Sequence, residues 1–317
     1  MANVKATTGL PKAEEPRYHF DIYAVLEGAQ EMYFGHEVAV NVNLVETVRV
    51  ITDGRQEIEK CYLSPTKRRG VERRTLIWAP LKNGLLLGDK LGCGVPHTCG
   101  RLECPICVVY GALIPGETTV DLLGGQTEKR SPITLIGRVT HGGGVAIQEQ
   151  DPVVKQRAMH PSNLHKPPEA EPTPTLFKRE YNEPALLYPV YNHCLSVTED
   201  EFQAVAYAFL DSLARIGAGN PKGVKLYEGR LLADGEPLLV LDRYLAPLGK
   251  RPVISPSITD VEQALDQFRR SALTVTGETI NQAQVEKEHF TRWLGEAALV
   301  QLQNYAAAFV KRVLEAE

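Results

Sequence analysis

The chain has 317 residues, 43% hydrophobic and 23% charged, with a formal net charge of -4 at pH 7. These values are ordinary for a soluble globular protein that can bury a large core. The first twenty residues lack the apolar run of a signal peptide, and no stretch is long enough to span a bilayer, so we expect a cytoplasmic protein with no membrane partner. The charge gives no global signature of nucleic-acid binding, although a groove needs only local positive charge.

The N-terminal part of the chain is predicted to be rich in strands. Residues 1–16 are polar and are expected to form a flexible arm. Aromatic and β-branched residues alternate with polar ones in residues 18–26 and again in residues 38–51, which predicts a first strand and at least one more.

A dense basic segment follows at residues 66–74. A glycine within such a segment lets backbone and side chains approach a phosphate together, so this is the best local candidate for nucleic-acid backbone contacts. The alternative is a solvated charged face. The basic residues of the segment are Lys67, Arg68, Arg69, Arg73 and Arg74.

Residues 93–107 concentrate the groups that bind transition metals. Thiolate and imidazole are preferred ligands of Zn²⁺, and a closed structural site needs four of them. The spacing favours a structural zinc over a redox pair, a disulfide or a catalytic zinc, and it leaves one ligand candidate to spare. The five candidates are Cys93, His97, Cys99, Cys104 and Cys107.

The middle of the chain alternates strand signals with long insertions. A strand is predicted over residues 133–140, and the three glycines 142–144 are expected to bend the chain or to let a ligand's backbone approach. No Lys-Ser or Lys-Thr pair follows them, which excludes a phosphate-gripping nucleotide loop. The proline-rich residues 151–175 form an unusually long connection, and another strand is expected within residues 185–197.

Helix signals begin at Thr198, which forms a predicted capping box with Glu201. A glycine-rich turn at 217–223 ends this helix, and two short strands are predicted at 224–227 and 238–241. From residue 258 onward the apolar spacing predicts two or three amphipathic helices, with Phe290, Trp293 and Leu294 among their apolar residues. This order indicates an α+β fold of split-βαβ type, a scaffold that RNA-recognition modules also use.

The order of these motifs resembles the RAMP superfamily of CRISPR-associated proteins, in particular its backbone subunits, the Cas-seven family. The basic segment, the cysteine loop ending in Tyr110-Gly111, the basic strand at 137–140, the element from Leu176 to Glu180 and the glycine-rich turn occur in the family's order. The insertion and the helical end look most like the type I-D form of the subunit.

This resemblance implies a ferredoxin-like, RRM-like palm over residues 17–250, a zinc-containing insertion at about 80–125, a thumb hairpin at about 140–182 and a helical C-terminal region at 251–317. It implies a non-enzymatic protein of antiviral defence that polymerises with copies of itself along a CRISPR guide RNA inside a Cascade complex. Other Cascade subunits, and target DNA paired to the guide, would be its partners. Carried across, the basic segment would grip guide phosphates, and Arg138, His141, Lys155, Arg157 and Met159 would lie at the root or on the thumb.

Two alternatives remain at this stage. Related type III subunits cut target RNA with an acidic residue, and Glu46 or Asp53 occupies the corresponding region here, although a structural carboxylate is the commoner explanation. The chain is also acidic overall, so a guide-binding channel would need its charge segregated to one face. The second alternative is a zinc-stabilised protein-interaction domain unrelated to nucleic acid.

Overall fold

The computed structural model describes residues 15–35, 37–39, 42–52, 54–122, 125, 127–149, 152–158, 176–218 and 222–315. The helices in these residues are α1 (Pro65–Ile77), α2 (Leu87–Leu91), α3 (Pro105–Tyr110), α4 (Glu199–Ser212), α5 (Val261–Ala272) and α6 (Gly295–Phe309). Single turns of 3₁₀-helix and π-helix extend α4 and α6, at Leu213–Arg215 and Val310–Leu314.

The strands are short except for two long central ones, Tyr18–Gly28 and Leu187–Val197. In chain order they are β1 (Tyr18–Gly28), β2 (Glu37–Ala39), β3 (Val42–Leu44), β4 (Thr47–Ile51), β5 (Glu57–Cys61), β6 (Ala112–Ile114), β7 (Thr118–Asp121), β8 (Thr127–Arg130), β9 (Ile133–Leu135), β10 (Val139–Gly143), β11 (Val153–Ala158), β12 (Leu176–Tyr181), β13 (Leu187–Val197), β14 (Val224–Leu226), β15 (Glu228–Arg230), β16 (Asp234–Pro237), β17 (Leu239–Tyr244), β18 (Thr274–Val275), β19 (Glu278–Thr279), β20 (Gln284–Lys287) and β21 (Phe290–Leu294).

The central sheet has the strand order β10-β13-β1-β17-β21-β20, and β14 pairs with one end of β1. Every pairing along this path is antiparallel. Helix α1 follows β1, and α4 follows β13, so β1-α1-β10-β13-α4-β17 is the ferredoxin-like arrangement with its two helices between the proper strands. The predicted α+β class with C-terminal helices is therefore confirmed.

The central sheet is buried on both faces because successive residues of a strand point to opposite sides. On one side Phe20 stacks on Phe202 of α4 with the ring centroids 3.9 Å apart, within the larger apolar cluster, which also includes residues of α1 and α6. On the other side Tyr23 and Val25 pack in a second cluster that includes Phe268 of α5. Helix α5 therefore covers the sheet face opposite α4, whereas α6 packs on the same side as α4.

Several segments are inserted into the ferredoxin-like core; one, between β1 and α1, holds β2 to β5, and two others are named here the first and the second insertion. The first lies between α1 and β10 and contains α2, α3 and the small two-stranded sheets β6-β9 and β7-β8. The second lies between β10 and β13 and contains the antiparallel hairpin β11-β12, whose second strand pairs in parallel with β3. The long proline-rich connection thus contains β11 near its start, and β12 directly follows its end.

The predicted strand over residues 133–140 is split in two. Leu135 pairs with Ala112 in the first insertion, whereas Val139 pairs with Cys194 in the central sheet. The chain leaves one sheet and enters another within four residues, and an apolar run carries no sign of such a change of partner.

The three consecutive glycines are explained by the protein's own packing. A Cβ at Gly142 would lie 2.2 Å from the ring of Tyr191, and one at Gly144 would lie 2.0 Å from the carbonyl oxygen of Leu63. Gly142 and Gly143 belong to β10 itself. The close approach that we expected for a ligand is therefore made by neighbouring strands and loops of the chain.

The prediction of helix for Phe290, Trp293 and Leu294 was wrong, because these residues lie in β21 between β17 and β20. All five residues of this strand are buried. Trp293 belongs to the larger apolar cluster and Leu294 to the second, so they point to opposite faces of the sheet. A strand that is apolar on both faces shows no alternation, and helical spacing then fits it equally well.

The predicted capping box of α4 is confirmed. Oγ1 of Thr198 accepts a hydrogen bond from the backbone N–H of Glu201 at 3.1 Å, and the Glu201 carboxylate accepts one from the N–H of Thr198 at 3.1 Å. Across the described part of the chain, no helix has the length and apolar character needed to cross a membrane.

Candidate nucleic-acid interface and metal centre

The basic segment lies on helix α1. Pro65 occupies the first turn, where its missing N–H and fixed φ suit a helix start, and Ser64 precedes it as the N-cap residue. Ser64 followed by Pro65 is a helix-start signal, although the sequence analysis predicted no helix here. Because 3.6 residues make one turn, the helix divides its basic residues between a buried and an outer side.

Arg68 lies on the buried side and is only 1% exposed. Its guanidinium donates to Oδ1 of Asn192 at 3.1 Å and to the carbonyl oxygen of Gly142. Asn192 in turn donates to the carboxylate of Glu72 at 3.1 and 3.2 Å. Arg68 is therefore committed to contacts within the protein, and its place in the fold does not suit the phosphate contact expected from the sequence.

His141 belongs to the same buried network. Its Nε2 lies 2.8 Å from Oε2 of Glu72, which also accepts a hydrogen bond from the hydroxyl of Tyr110 at 3.0 Å. Burial alone would raise the pKa of Glu72, but the charges of His141 and Arg68 and the hydrogen bonds from His141 and Asn192 hold that pKa below its ordinary value. The network joins α1 to β10, β13 and α3.

The other basic residues of α1 are more accessible. Lys67 forms an ion pair with Glu46, and Arg69 is exposed and donates to the carbonyl oxygen of Tyr110. Arg73 is half-buried, and its Nε and Nη2 are enclosed without a hydrogen-bond partner in the described structure. Arg74 is exposed.

Lys67 and Arg74 line a common cavity of about 400 Å³. Gly70 lies between them on the same side of α1, and the far wall is the glycine-rich turn at residues 216–218. Two of the sequence motifs thus meet in one place, because the turn that follows α4 lies against the basic helix.

Aromatic residues after β1 complete this cavity, and sequence reasoning missed them. Tyr33 and Phe34 line it, and the guanidinium carbon of Arg179 lies 4.4 Å from the centroid of the Tyr33 ring. Arg179 belongs to β12 of the inserted hairpin. No spacing along the chain connects residues 33, 74, 179 and 217, so only the fold brings them near one another. We name this cavity, with its walls from α1, the turn at 216–218 and Tyr33, the α1 groove.

The remaining predicted nucleic-acid contacts are spread over the second insertion and its base. Arg138 is half-buried and donates to the carbonyl oxygen of Ser196 at 3.1 Å. Lys155 lies on β11 and pairs with Glu31. Arg157 is also on β11, but its side chain, like the whole of Met159, lies outside the described residues.

The four cysteines of the first insertion meet in one buried cluster. Their sulfur atoms all lie within 4.8 Å of one another, and Cys107 Sγ is 3.5 Å from Cys93 Sγ and 3.6 Å from Cys99 Sγ. Tetrahedral Zn–S bonds of about 2.3 Å place sulfurs about 3.8 Å apart, which these distances approach. None of the cysteines is in a disulfide. Four converging thiol groups of this geometry can hold a metal ion.

Local structure explains why these four residues converge. Cys104 is the N-cap of α3 and Cys107 lies in its first turns, so the two-residue spacing turns both sulfurs to one side. Cys93 directly follows the left-handed Gly92 at the end of α2. His97, the fifth candidate, is exposed and is not part of the cluster. Four cysteines are enough for a tetrahedral site without it.

Glu46 and Asp53 were the two candidates for cleavage of a target strand, and the structure describes only the first. The Glu46 carboxylate accepts a hydrogen bond from Oγ of Ser64 at 3.0 Å and pairs with Lys67, at the start of α1. These contacts suit a structural carboxylate. Asp53 lies outside the described residues.

Fold and site together define an α+β protein with a ferredoxin-like sheet, a four-cysteine insertion and a basic helix beside a glycine-rich turn. No protein-family model matches the chain, and no curated protein matches it. Among solved structures, a chain of a type IV-B CRISPR complex is 12% identical, with a TM-score of 0.38, and the match covers 77% of this chain and 98% of that chain. The crystal structure of Thermofilum pendens Csc2 is 16% identical, with a TM-score of 0.35, and that match covers 77% of this chain and 69% of the other.

Proposed function

We propose that the protein is a guide-RNA-binding backbone subunit of a CRISPR interference complex of the Cascade type, in the type I-D form that its motif order resembles. Copies would assemble side by side along the guide RNA and present it for pairing with target DNA. Such a subunit binds the guide through its phosphates, while base pairing supplies the sequence specificity. In this role it is a scaffold and not an enzyme.

The α1 groove is the observation that carries this proposal. It combines two cationic side chains, Lys67 and Arg74, with the backbone of a glycine-rich turn and the ring of Tyr33. Cations and exposed backbone suit phosphates, so the groove has the components of a phosphate-binding site, with the buried ring of Tyr33 as part of its wall.

The predicted contact residues take two different roles in this proposal. Lys67, Arg69, Arg73 and Arg74 would face the guide from α1, and Arg138, Lys155, Arg157 and Met159 would contact it from the hairpin and its base. Arg68 and His141 would act from beneath, because their hydrogen bonds to Asn192 and Glu72 hold the helix on the sheet.

We also propose that the four-cysteine cluster holds a structural Zn²⁺. Zinc with four thiolates has no open position for chemistry, so the ion would pin the first insertion beside the RNA path. Since a site of this kind forms only in the folded chain, metal binding would stabilise the fold of the insertion.

Binding of a labelled single-stranded RNA by the purified protein tests the proposal. We expect an affinity that is insensitive to RNA sequence and falls linearly with salt on a double-logarithmic plot. Removing one phosphate contact with Arg74→Ala should make that slope shallower by about 0.7. Arg270→Ala is the matched control, because Arg270 lies on α5, on the other side of the sheet.

The outcomes separate the alternatives. A protein that carries no nucleic acid on purification and binds none at low salt would be an interaction domain of another kind. Binding with an unchanged salt slope in Arg74→Ala would move the RNA path away from the α1 groove. Cleavage of a labelled complementary strand by the guide-loaded protein, dependent on a divalent metal, would instead support the nuclease alternative.

A further inference from the structure

The largest apolar side chain left on the surface is that of Trp78, which is 58% exposed. It caps the C-terminal end of α1, and its backbone N–H donates to the carbonyl oxygen of Arg74 at 2.9 Å. The indole lines a cavity of about 470 Å³ together with Val95, which is 64% exposed, and His97. A single exposed apolar residue needs no explanation, but two that line one concave site suggest a ligand.

The walls of this cavity are held by backbone hydrogen bonds. The N–H of Leu87 donates to the carbonyl oxygen of Ala79 at 2.9 Å, which ties α2 to the end of α1. The N–H of Cys93 donates to the carbonyl oxygen of Gly88, and the N–H of Gly94 donates to the carbonyl oxygen of His97, both at 2.8 Å. The four-cysteine cluster anchors the same wall through Cys93, so the cavity is formed before any ligand arrives.

Glycines on the cavity wall leave no room for a side chain. A Cβ at Gly88 would lie 2.7 Å from the carbonyl oxygen of Cys93. Gly92 has a φ of +54°, and a Cβ there would lie 2.6 Å from Cδ2 of Leu122. Because these glycines line the cavity together with Trp78, a ligand would meet main-chain atoms as well as the indole.

The chemistry of the lining indicates what that ligand is. A carboxylate, that of Asp89, also lines the cavity and would repel a phosphate. A nucleobase has both the flat ring that stacks on an indole and the edge groups that form hydrogen bonds with a carboxylate or an imidazole. Every base has a π-face, so a site of this kind fits binding without sequence preference.

The position of the cavity connects it to the RNA path. Arg74 precedes Trp78 by four residues, so the two lie on the same side of α1 and about 6 Å apart along its axis. Arg74 lines the α1 groove, and Trp78 lines the next cavity along the helix. A strand whose phosphate meets Arg74 can place a neighbouring base against Trp78.

We infer that Trp78 is a stacking platform for one unpaired base of the bound RNA, with Asp89 and His97 at the edge of that base. This inference rests on the proposed RNA-binding function and adds to it a defined base site beside the four-cysteine insertion. It also gives His97 a role that does not involve the metal.

Tryptophan fluorescence tests the inference directly, because the chain contains only two tryptophans. In a Trp293→Phe background, emission reports on Trp78 alone, and we expect single-stranded RNA to quench it. An abasic oligonucleotide of the same length carries the phosphates without the bases and should bind without quenching. If Trp293→Phe does not fold, the difference between wild-type and Trp78→Phe emission gives the same signal.

Affinity supplies the second measurement. Trp78→Ala should weaken RNA binding about 5- to 100-fold and leave binding of the abasic oligonucleotide unchanged. Val300→Ala, which removes an exposed apolar side chain from α6, is the control and should change neither affinity. Arg74→Ala should weaken binding of both oligonucleotides.

Three results would overturn the inference. RNA binding with unchanged Trp78 emission and unchanged affinity in Trp78→Ala would refute the base site while leaving the proposed function intact. A change in Trp78 emission with protein concentration alone would assign the cavity to a contact between copies of the chain. Failure of the wild-type protein to bind RNA at low salt would remove the proposed function and the base site together.

Discussion

Oε2 of Glu72 lies 2.8 Å from Nε2 of His141, and the two side chains are 3% and 1% exposed. This contact joins α1 to β10, and the hydrogen bond from Asn192 to Glu72 extends it to β13. One helix therefore carries both an acidic anchor on its inner side and cationic residues on its outer side. Substitutions on the inner side of this helix should lower the stability of the fold, whereas substitutions on its outer side should weaken RNA binding.

Acid should weaken the fold through Glu72. Its pKa in the folded protein is below the ordinary value of 4.5, so the carboxylate contributes stability above about pH 4.5 that is lost as the pH falls through the folded-state pKa. We expect Glu72→Gln to lower the free energy of unfolding at pH 7 by about 3 kcal/mol and to flatten the acid limb of the stability curve. Urea unfolding at several pH values measures both effects. Glu286→Gln, at an exposed position of β20, should reproduce the wild-type acid limb, and an equally steep limb in Glu72→Gln would contradict the assignment.

Arg68 and Arg74 should separate stability from RNA binding. Arg68→Met removes one of the two cationic neighbours of the Glu72 carboxylate and leaves Oδ1 of Asn192 without this donor, which should cost about 3 kcal/mol. Arg74→Met changes an exposed side chain and should alter stability by less than about 0.5 kcal/mol. Thermal unfolding and RNA titration of the same two variants provide the measurement. Equal losses of stability in both variants would be inconsistent with the buried network.

The metal content of the protein should depend on the cysteines and not on His97. We expect Cys107→Ser to lose bound zinc and to show a lower unfolding temperature, since Cys107 lies within 3.6 Å of two other sulfurs. His97→Ala should retain the wild-type zinc content. Atomic emission spectroscopy with thermal unfolding, before and after a chelator, gives both values. Zinc loss in His97→Ala would place the imidazole among the ligands.

A buried ion pair should make the C-terminal region part of the central fold. Arg292 on β21 forms two hydrogen bonds of 2.7 Å with Asp242 on β17 and donates to the carbonyl oxygen of Ala272 at 2.9 Å. Asp242→Ala leaves the guanidinium buried and unpaired, at an expected cost of about 3 to 5 kcal/mol.

The exposed pair Arg270–Asp266 on α5 is the control for this prediction, and breaking it should cost less than about 0.5 kcal/mol. Chemical unfolding monitored by two probes is the measurement. If Asp242→Ala produced a separate early transition with the palm intact, the C-terminal region would be an independent domain.

Much of the fold follows from short-range patterns. The strand β1 and the capping box of α4 are both predicted correctly, because alternation and cap chemistry involve residues close in sequence. The four cysteines were likewise identifiable, since they fall within fifteen positions and Cys104 and Cys107 share one turn. In contrast, β21 was mistaken for helix, because burial on both faces removes the alternation that marks a strand.

The candidate RNA site was predictable only in part. Basic residues can be counted along the chain, but which of them faces solvent depends on partners that are distant in sequence. Arg68 is buried, and its guanidinium donates a hydrogen bond to Asn192, which is 124 residues away in the chain. The aromatic wall at Tyr33 and the exposure of Trp78 have no signal in the sequence, because both depend on how loops and insertions pack.

By itself, the sequence determined the secondary structure of the strongly patterned segments, the composition of a metal-binding cluster and the presence of a basic segment. Tertiary structure decided that four cysteines converge without His97, that Arg68 and His141 are buried and that Arg74 and Trp78 share the accessible side of one helix. The physical reason is that side-chain chemistry is local, whereas burial and charge pairing are set by contacts between residues far apart in the chain.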